Sequence, residues 1–213
     1  MHSESNDLFA LSQSAGVQKG RSGFLGTGSK SPTTRSRFPM RGFFVCEHWR
    51  SGLLIATHRM TNGIVNEGKD SIFDVYFDAA TQITTWYMLL IDLTGFTALA
   101  SDDTYDDIDQ AGNGWDEYQT YTDAGNASST VTRPIWNPDP ASGQSISNGT
   151  QEVFDMTGTG TVKGLAIVGG GAGSATKGDH AADGTLWATA LFDQGDTGVV
   201  NGDQLKITYT ASA

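Results

Sequence analysis

Two apolar periods meet between Asn62 and Asp92, in the stretch NGIVNEGKDSIFDVYFDAATQITTWYMLLID. Ile72, Phe73, Tyr76 and Phe77 recur at one, three and four residues, the spacing of one helix face. The pattern predicts a short helix capped by Asn66, with Glu67 near the positive end of its dipole. Gly68 weakens the first turn, so this helix is expected to be held mainly by packing. From Ile83 to Ile91 the chain is almost continuously apolar, β-branched or aromatic. That run is too short for a membrane span and predicts a strand buried on both faces.

The rest of the chain alternates short strand-like runs with turn signals. FFVCEHW and LLIATHRM flank Arg50-Ser51-Gly52 and read as a hairpin, and Asn62-Gly63 reads as a second turn. Trp115 to Tyr121 alternates large and polar residues, and Ser128 to Arg133 reads as a further strand. Three prolines in RPIWNPDPASG exclude a central strand and leave Trp136 to plug an edge of the core. Asn148-Gly149 is a turn between two β-like runs, the second placing Val153, Phe154 and Met156 in the core. Thr161–Val168, Thr185–Phe192 and Gln204–Thr210 complete the set, the last two separated by an Asn201-Gly202-Asp203 turn. In the final strand Leu205, Ile207 and Tyr209 alternate with Lys206 and Thr208, giving one buried and one wet face. About eight or nine strands with frequent turns predict a mainly β fold. The expected form is an antiparallel β-sandwich, Ig-like or jelly-roll-like, with one short helix, over residues 41–213.

Residues 1–40 break this pattern. They are rich in Ser, Gly and Thr, and Leu8, Phe9, Leu11, Val17, Phe24 and Leu25 follow no period. Such a segment cannot bury enough surface to fold alone and is expected to be an extended arm. Charge sharpens the division. Residues 1–41 carry Lys19, Arg21, Lys30, Arg35, Arg37 and Arg41 against Glu4 and Asp7, a net +4; the remainder is −15, for a total of −11. A basic arm on an acidic body points to interaction through those six bases, which are the candidate partner-binding residues. The acidic body argues against general nucleic-acid binding. No basic n-region followed by an apolar h-region opens the chain, so no secretory signal is expected. Cys46 is the single cysteine, which excludes an internal disulfide and a thiolate zinc site and suits a reducing cytoplasm.

Candidate chemistry is sparse. Asp107, Asp109 and Gly112 hold the first, third and sixth positions of an EF-hand loop. However, Ala111 and Tyr118 stand where the fifth and twelfth positions require oxygen, so residues 93–113 read as a solvated acidic loop. GGGAGSATKGDHAADG resembles a phosphate loop only superficially, because Thr176-Lys177-Gly178 inverts the needed order and no helix follows. It reads as a long flexible hairpin loop and contact surface. His2, His48, His58 and His180 show no metal-ligand spacing; His48 and His58 face each other across the hairpin and read as two surface histidines. Adjacent Asp116 and Glu117 point to opposite faces of a strand and cannot share a substrate. Cys46 reads as a small core residue rather than a nucleophile. The tryptophans suit a core or, with Trp136 and Trp187 exposed, a carbohydrate platform. No catalytic residue, metal site or cofactor is expected.

A series of ordered segments carries a resemblance: NGIVNEGKDSIFDVYF, ITTWYMLLID with FTALASDDTY, GWDEYQTY, TRPIW, GTVKGLAIV, TKG with GTLWATALF, and VVNGDQLKITYT. Together, over roughly residues 41–213, they resemble a family of small virion structural proteins of tailed bacteriophages. The resemblance implies a non-enzymatic capsid decoration or cement protein on the phage head. Its partners would be the major capsid protein and further copies of itself, with no membrane. Its place of synthesis would be the bacterial host cytoplasm. A tail or baseplate component, and a carbohydrate-binding module on the particle surface, are the alternatives.

Overall fold

A computed structural model describes residues 40–110, 114–180 and 184–213. The expected arm lies outside them, apart from Met40. So do five of the six candidate partner-binding bases, Lys19, Arg21, Lys30, Arg35 and Arg37. The described chain is mainly β. In order it forms β1 (Arg41–Arg50), β2 (Leu53–Ile64), α1 (Asn66–Phe77), β3 (Trp86–Asp92), β4 (Glu117–Tyr118), β5 (Tyr121–Asp123) and β6 (Ile135–Trp136). There follow β7 (Ser145–Ser147), β8 (Glu152–Met156), β9 (Gly160–Gly169), β10 (Thr185–Leu191), β11 (Thr197–Val199) and β12 (Gln204–Ser212).

All twelve strands join one antiparallel sheet, whose main path runs β4-β3-β9-β10-β2-β1-β12-β8-β5 and curls into a half-barrel. The expected antiparallel fold with one helix is therefore present, and its two leaves are continuous through β2. Residues 53–62 of that strand pair with β1, while Gly63 and Ile64 pair with Thr189 and Ala188 of β10. This corrects one turn assignment. Asn62-Gly63 lies inside β2, because neighbours on either side hold its backbone extended. The hairpin at Ser51-Gly52 is as expected, with both residues at positive φ (49° and 78°). Ser128–Arg133, expected as a strand, makes only isolated bridges at Ser129 and Thr132.

The inner faces of the two leaves share one core. Phe44, Cys46, Leu205, Ile207 and Tyr209 from one leaf join Met88, Leu90, Leu165 and Ile167 from the other. The opposite faces of β3 and β9 build a second cluster, in which Leu89, Ile91, Ala166 and Val168 pack under Tyr105, Ile108 and Trp115. Met88 to Ile91 are consequently fully buried on both faces, as their unbroken apolar run predicts. Trp136 closes the edge beside β3 as a buried plug, its indole N–H donating to Asn148 Oδ1.

Candidate functional site

Helix α1 departs most from expectation. It spans the predicted residues but is entered from Val65, with no side chain capping it, and Asn66 is its first residue rather than its cap. Its attachment is at the first turn. Glu67 Oε2 accepts the backbone N–H groups of Tyr105 (2.9 Å) and Leu186 (2.7 Å), and Gly68 sits against the backbone of Trp187. Burial pushes the Glu67 carboxyl up from its ordinary value, with those two N–H groups opposing. The apolar face expected to pack inward is instead open. Phe73, Tyr76 and Phe77 are exposed, and the rings of Phe73 and Phe77 stack at 6.2 Å.

Beside this ridge runs an open groove of about 650 Å³. Ile72, Val75 and Tyr76 form one wall, and Trp86, Trp187 and Ile146 line the sheet side. No charged side chain lines it. Trp86 and Trp187 meet at 5.6 Å, and Trp187 donates to the Tyr209 hydroxyl at 2.8 Å. The two rings of the carbohydrate alternative are thus already engaged: Trp136 is buried and Trp187 half-buried with its N–H satisfied. A second exposed apolar patch, Leu53, Leu54 and Ile55, lies just beyond the β1–β2 turn.

One cluster of ionisable groups points the other way, into the fold. Fully buried Arg133 donates through Nε and Nη2 to the two oxygens of Glu117, both at 2.9 Å, and through Nη1 to the Ser174 carbonyl at 2.7 Å. Burial raises the Glu117 carboxyl, but hydrogen bonds from His180 and Arg133 outweigh it and hold the group below its ordinary value. Arg133 Nη2 lies 2.9 Å from His180 Nε2, whose Nδ1 lies 3.3 Å from Asp109. Asp109, Glu117 and His180 could place three ligand atoms within 4.8 Å of one another. The donor set nevertheless fits a guanidinium rather than a metal ion, because Arg133 already supplies the cation and occupies both Glu117 oxygens. No spacing signal announced this cluster, which joins a loop, a strand and a segment beyond β9.

Other candidates resolve similarly. Asp107, one of the EF-hand positions, accepts the backbone and hydroxyl donors of Thr104, and Asp109 accepts the Glu117 N–H; Gly112 lies outside the described residues. Asp103 is buried and accepts the Trp115 indole N–H, so the acidic loop is partly built into the fold rather than merely solvated. The described part of the expected flexible loop after β9 is tied down: Gly178 N–H donates to Glu117, and Lys177 Nζ donates to the Gln119 and Tyr121 carbonyls. That lysine is unavailable to a phosphate. His48 and His58, expected at the surface, are both buried. His48 pairs with Asp203 at 2.8 Å, and His58 contacts Thr197 at 3.0 Å and packs tilted against the Phe192 ring. Burial, against an opposing Asp193, pushes the His58 imidazole below its ordinary pKa. Cys46 is buried in the core, and desolvation drives its thiol well above the ordinary range, where it is not a nucleophile. Arg41, the described member of the basic set, is exposed at the start of β1.

Among the described residues, then, two apolar patches are uncovered, and the Arg133–Glu117–His180 cluster is closed inside, while acids such as Asp70, Asp74, Asp102 and Asp106 remain exposed. No described helix is long and apolar enough to cross a membrane. No protein-family model, no curated protein and no solved structure matches the chain.

Proposed function

We propose that this chain is a non-enzymatic structural component of a tailed-bacteriophage particle, acting as a capsid decoration or cement protein that bridges subunits of the shell. The observation that carries the reading is the distribution of chemistry over the body. Aromatic and aliphatic surface is uncovered at α1 and at the β1–β2 tip, while Arg133, Glu117 and His180 are closed off from any substrate. Apolar surface left uncovered at two places suits adhesion to a partner. The resemblance of the ordered segments to small virion proteins is what suggests the particle context. We read the curled sheet as a sandwich opened at β2, in which both leaves offer contact area. The basic residues Lys19, Arg21, Lys30, Arg35, Arg37 and Arg41 supply the charge that would meet an acidic patch on the shell.

The test is occupancy. Full-length chain added to purified heads lacking it should co-sediment saturably, and replacing the six bases by Glu should reduce that binding at least tenfold without changing the circular dichroism of the body. Absence of binding to heads, with labelling of tails in the intact particle, would move the protein to the tail or baseplate.

A further inference from the structure

The geometry points to a twofold dimer of this chain, in which the aromatic ridge of α1 from each copy seats in the apolar groove of the other. This pairing belongs to the free chain in solution and does not rest on the particle assignment.

The argument begins with what α1 leaves uncovered. Phe73, Tyr76 and Phe77 are 59, 79 and 83% exposed. An aromatic side chain buries about 150–250 Å² when covered, so the three offer roughly 450 Å² per copy. A short helix gains most of its stability by burying an apolar face, yet among the described residues only Gly68 of α1 is fully buried. The face that periodicity marks as a packing face is therefore left uncovered among the described residues.

Shape decides which partner. A twofold interface needs a surface complementary to itself, so each copy must present both a projection and a recess on one face. Here the two adjoin: Tyr76 belongs to the exposed ridge and also forms part of the groove wall. Rotation of a second copy about an axis between ridge and groove brings each ridge over the other's recess. The ridges then cover about 900 Å² in the pair, and the groove walls they meet add roughly half as much. The total falls in the roughly 1,200–2,000 Å² of stable specific interfaces.

Chemistry agrees. The groove sets Trp86, Trp136, Trp187 and Ile146 beside the uncharged side chains of Gln82 and Gln144, with no charged side chain, which suits the seating of an aromatic ring. The helix acids Asp70 and Asp74 flank the ridge, three residues before Phe73 and Phe77, and the groove they approach in the partner carries no acidic side chain. Both bodies are nonetheless acidic overall, so added salt should strengthen the pairing by screening their repulsion.

Sedimentation of the full chain tests this. Wild type is expected to dimerise at micromolar concentration. Phe77→Glu disables the ridge at a position exposed enough to leave folding intact, and Ala141→Trp fills the groove from its exposed rim. Each variant alone should dimerise at least 100-fold more weakly, with unchanged circular dichroism. An equimolar mixture should recover heterodimer, because one intact ridge still meets one intact groove. A wild-type chain that stays monomeric at 100 μM overturns the proposal, as does a dimer indifferent to both substitutions. Loss of pairing in both variants without recovery on mixing also overturns it, because ridge and groove would then not engage each other.

Discussion

At the scale of single residues, Arg133–Glu117 is the one wholly buried arginine–carboxylate pair among the described residues. Both side chains are wholly buried, so removing one charge strands the other in a medium that solvates it poorly. Glu117→Gln is expected to destabilise the body by about 3–5 kcal/mol, read as a fall in the urea midpoint at pH 7 with unchanged slope. The same residues govern acid stability. Asp203 is held well below the ordinary carboxylate range, chiefly by its hydrogen bond from Arg50, with burial opposing and His48 assisting. A carboxyl depressed in the fold binds fewer protons there than in the unfolded chain. Its contribution is present above the unfolded pKa of about 4 and is lost as pH falls through the folded value. Glu117 acts with the same sign. Glu67, Asp109 and Glu152 act oppositely, because burial raises them and protonation relieves that cost. Asp203→Asn should therefore lower stability at pH 7 and flatten its decline between about pH 5 and 2. A parallel decline in wild type and variant, in urea midpoints taken along that range, would refute the assignment.

Two glycine-bearing sites show how elements are constrained. In the β1–β2 hairpin, Arg50 pairs with Leu53 across Ser51 and Gly52, both left-handed, the geometry that favours Asn-Gly. Ser51→Asn is expected to raise stability by about 0.5 kcal/mol, within reach of paired denaturation curves. Gly68 behaves contrary to helix propensity. Alanine gains about 1 kcal/mol in an open helix, but a Cβ here would stand 2.6 Å from the Trp187 carbonyl oxygen, which is backbone and cannot swing aside. Gly68→Ala should thus destabilise, by roughly 1–3 kcal/mol, and should loosen α1 from β10 as seen in faster amide exchange at Val65, whose N–H donates to the Trp187 carbonyl. The helix itself was legible from spacing. The outward turn of its aromatic face was not, because periodicity shows which residues share a face and not what that face meets.

At the scale of the molecule, topology controls folding. The first described strand pairs along its length with the last, Arg41 opposite Ser212 and Phe44 opposite Tyr209. The core between the leaves cannot close until that long loop does, so refolding should be slow, on a scale of milliseconds to seconds by stopped-flow tryptophan fluorescence. The leaves share one core and are joined at β2–β10 by only two residue pairs. Core burial, rather than the seam, therefore couples them, and fluorescence and circular dichroism should report one coincident unfolding transition. Separate transitions would show the leaves to be independent.

The local pattern was enough for what depends on near neighbours. The buried run through β3, the alternation of Leu205, Ile207 and Tyr209, the Ser51-Gly52 turn and the span of α1 all follow from periods and dihedral preferences within a few residues. Tertiary structure alone decided what depends on distant partners. Asn62-Gly63 became strand because β1 and β10 flank it. His48 and His58 became buried because Asp203 and Thr197, far along the chain, arrive to meet them. Arg133 became a core residue because Glu117 and the Ser174 carbonyl enclose it, and the aromatic face of α1 became surface because the sheet curls to receive only its first turn. A residue's own chemistry determines what it needs; the path of the remaining chain determines whether that need is met inside the molecule or outside it.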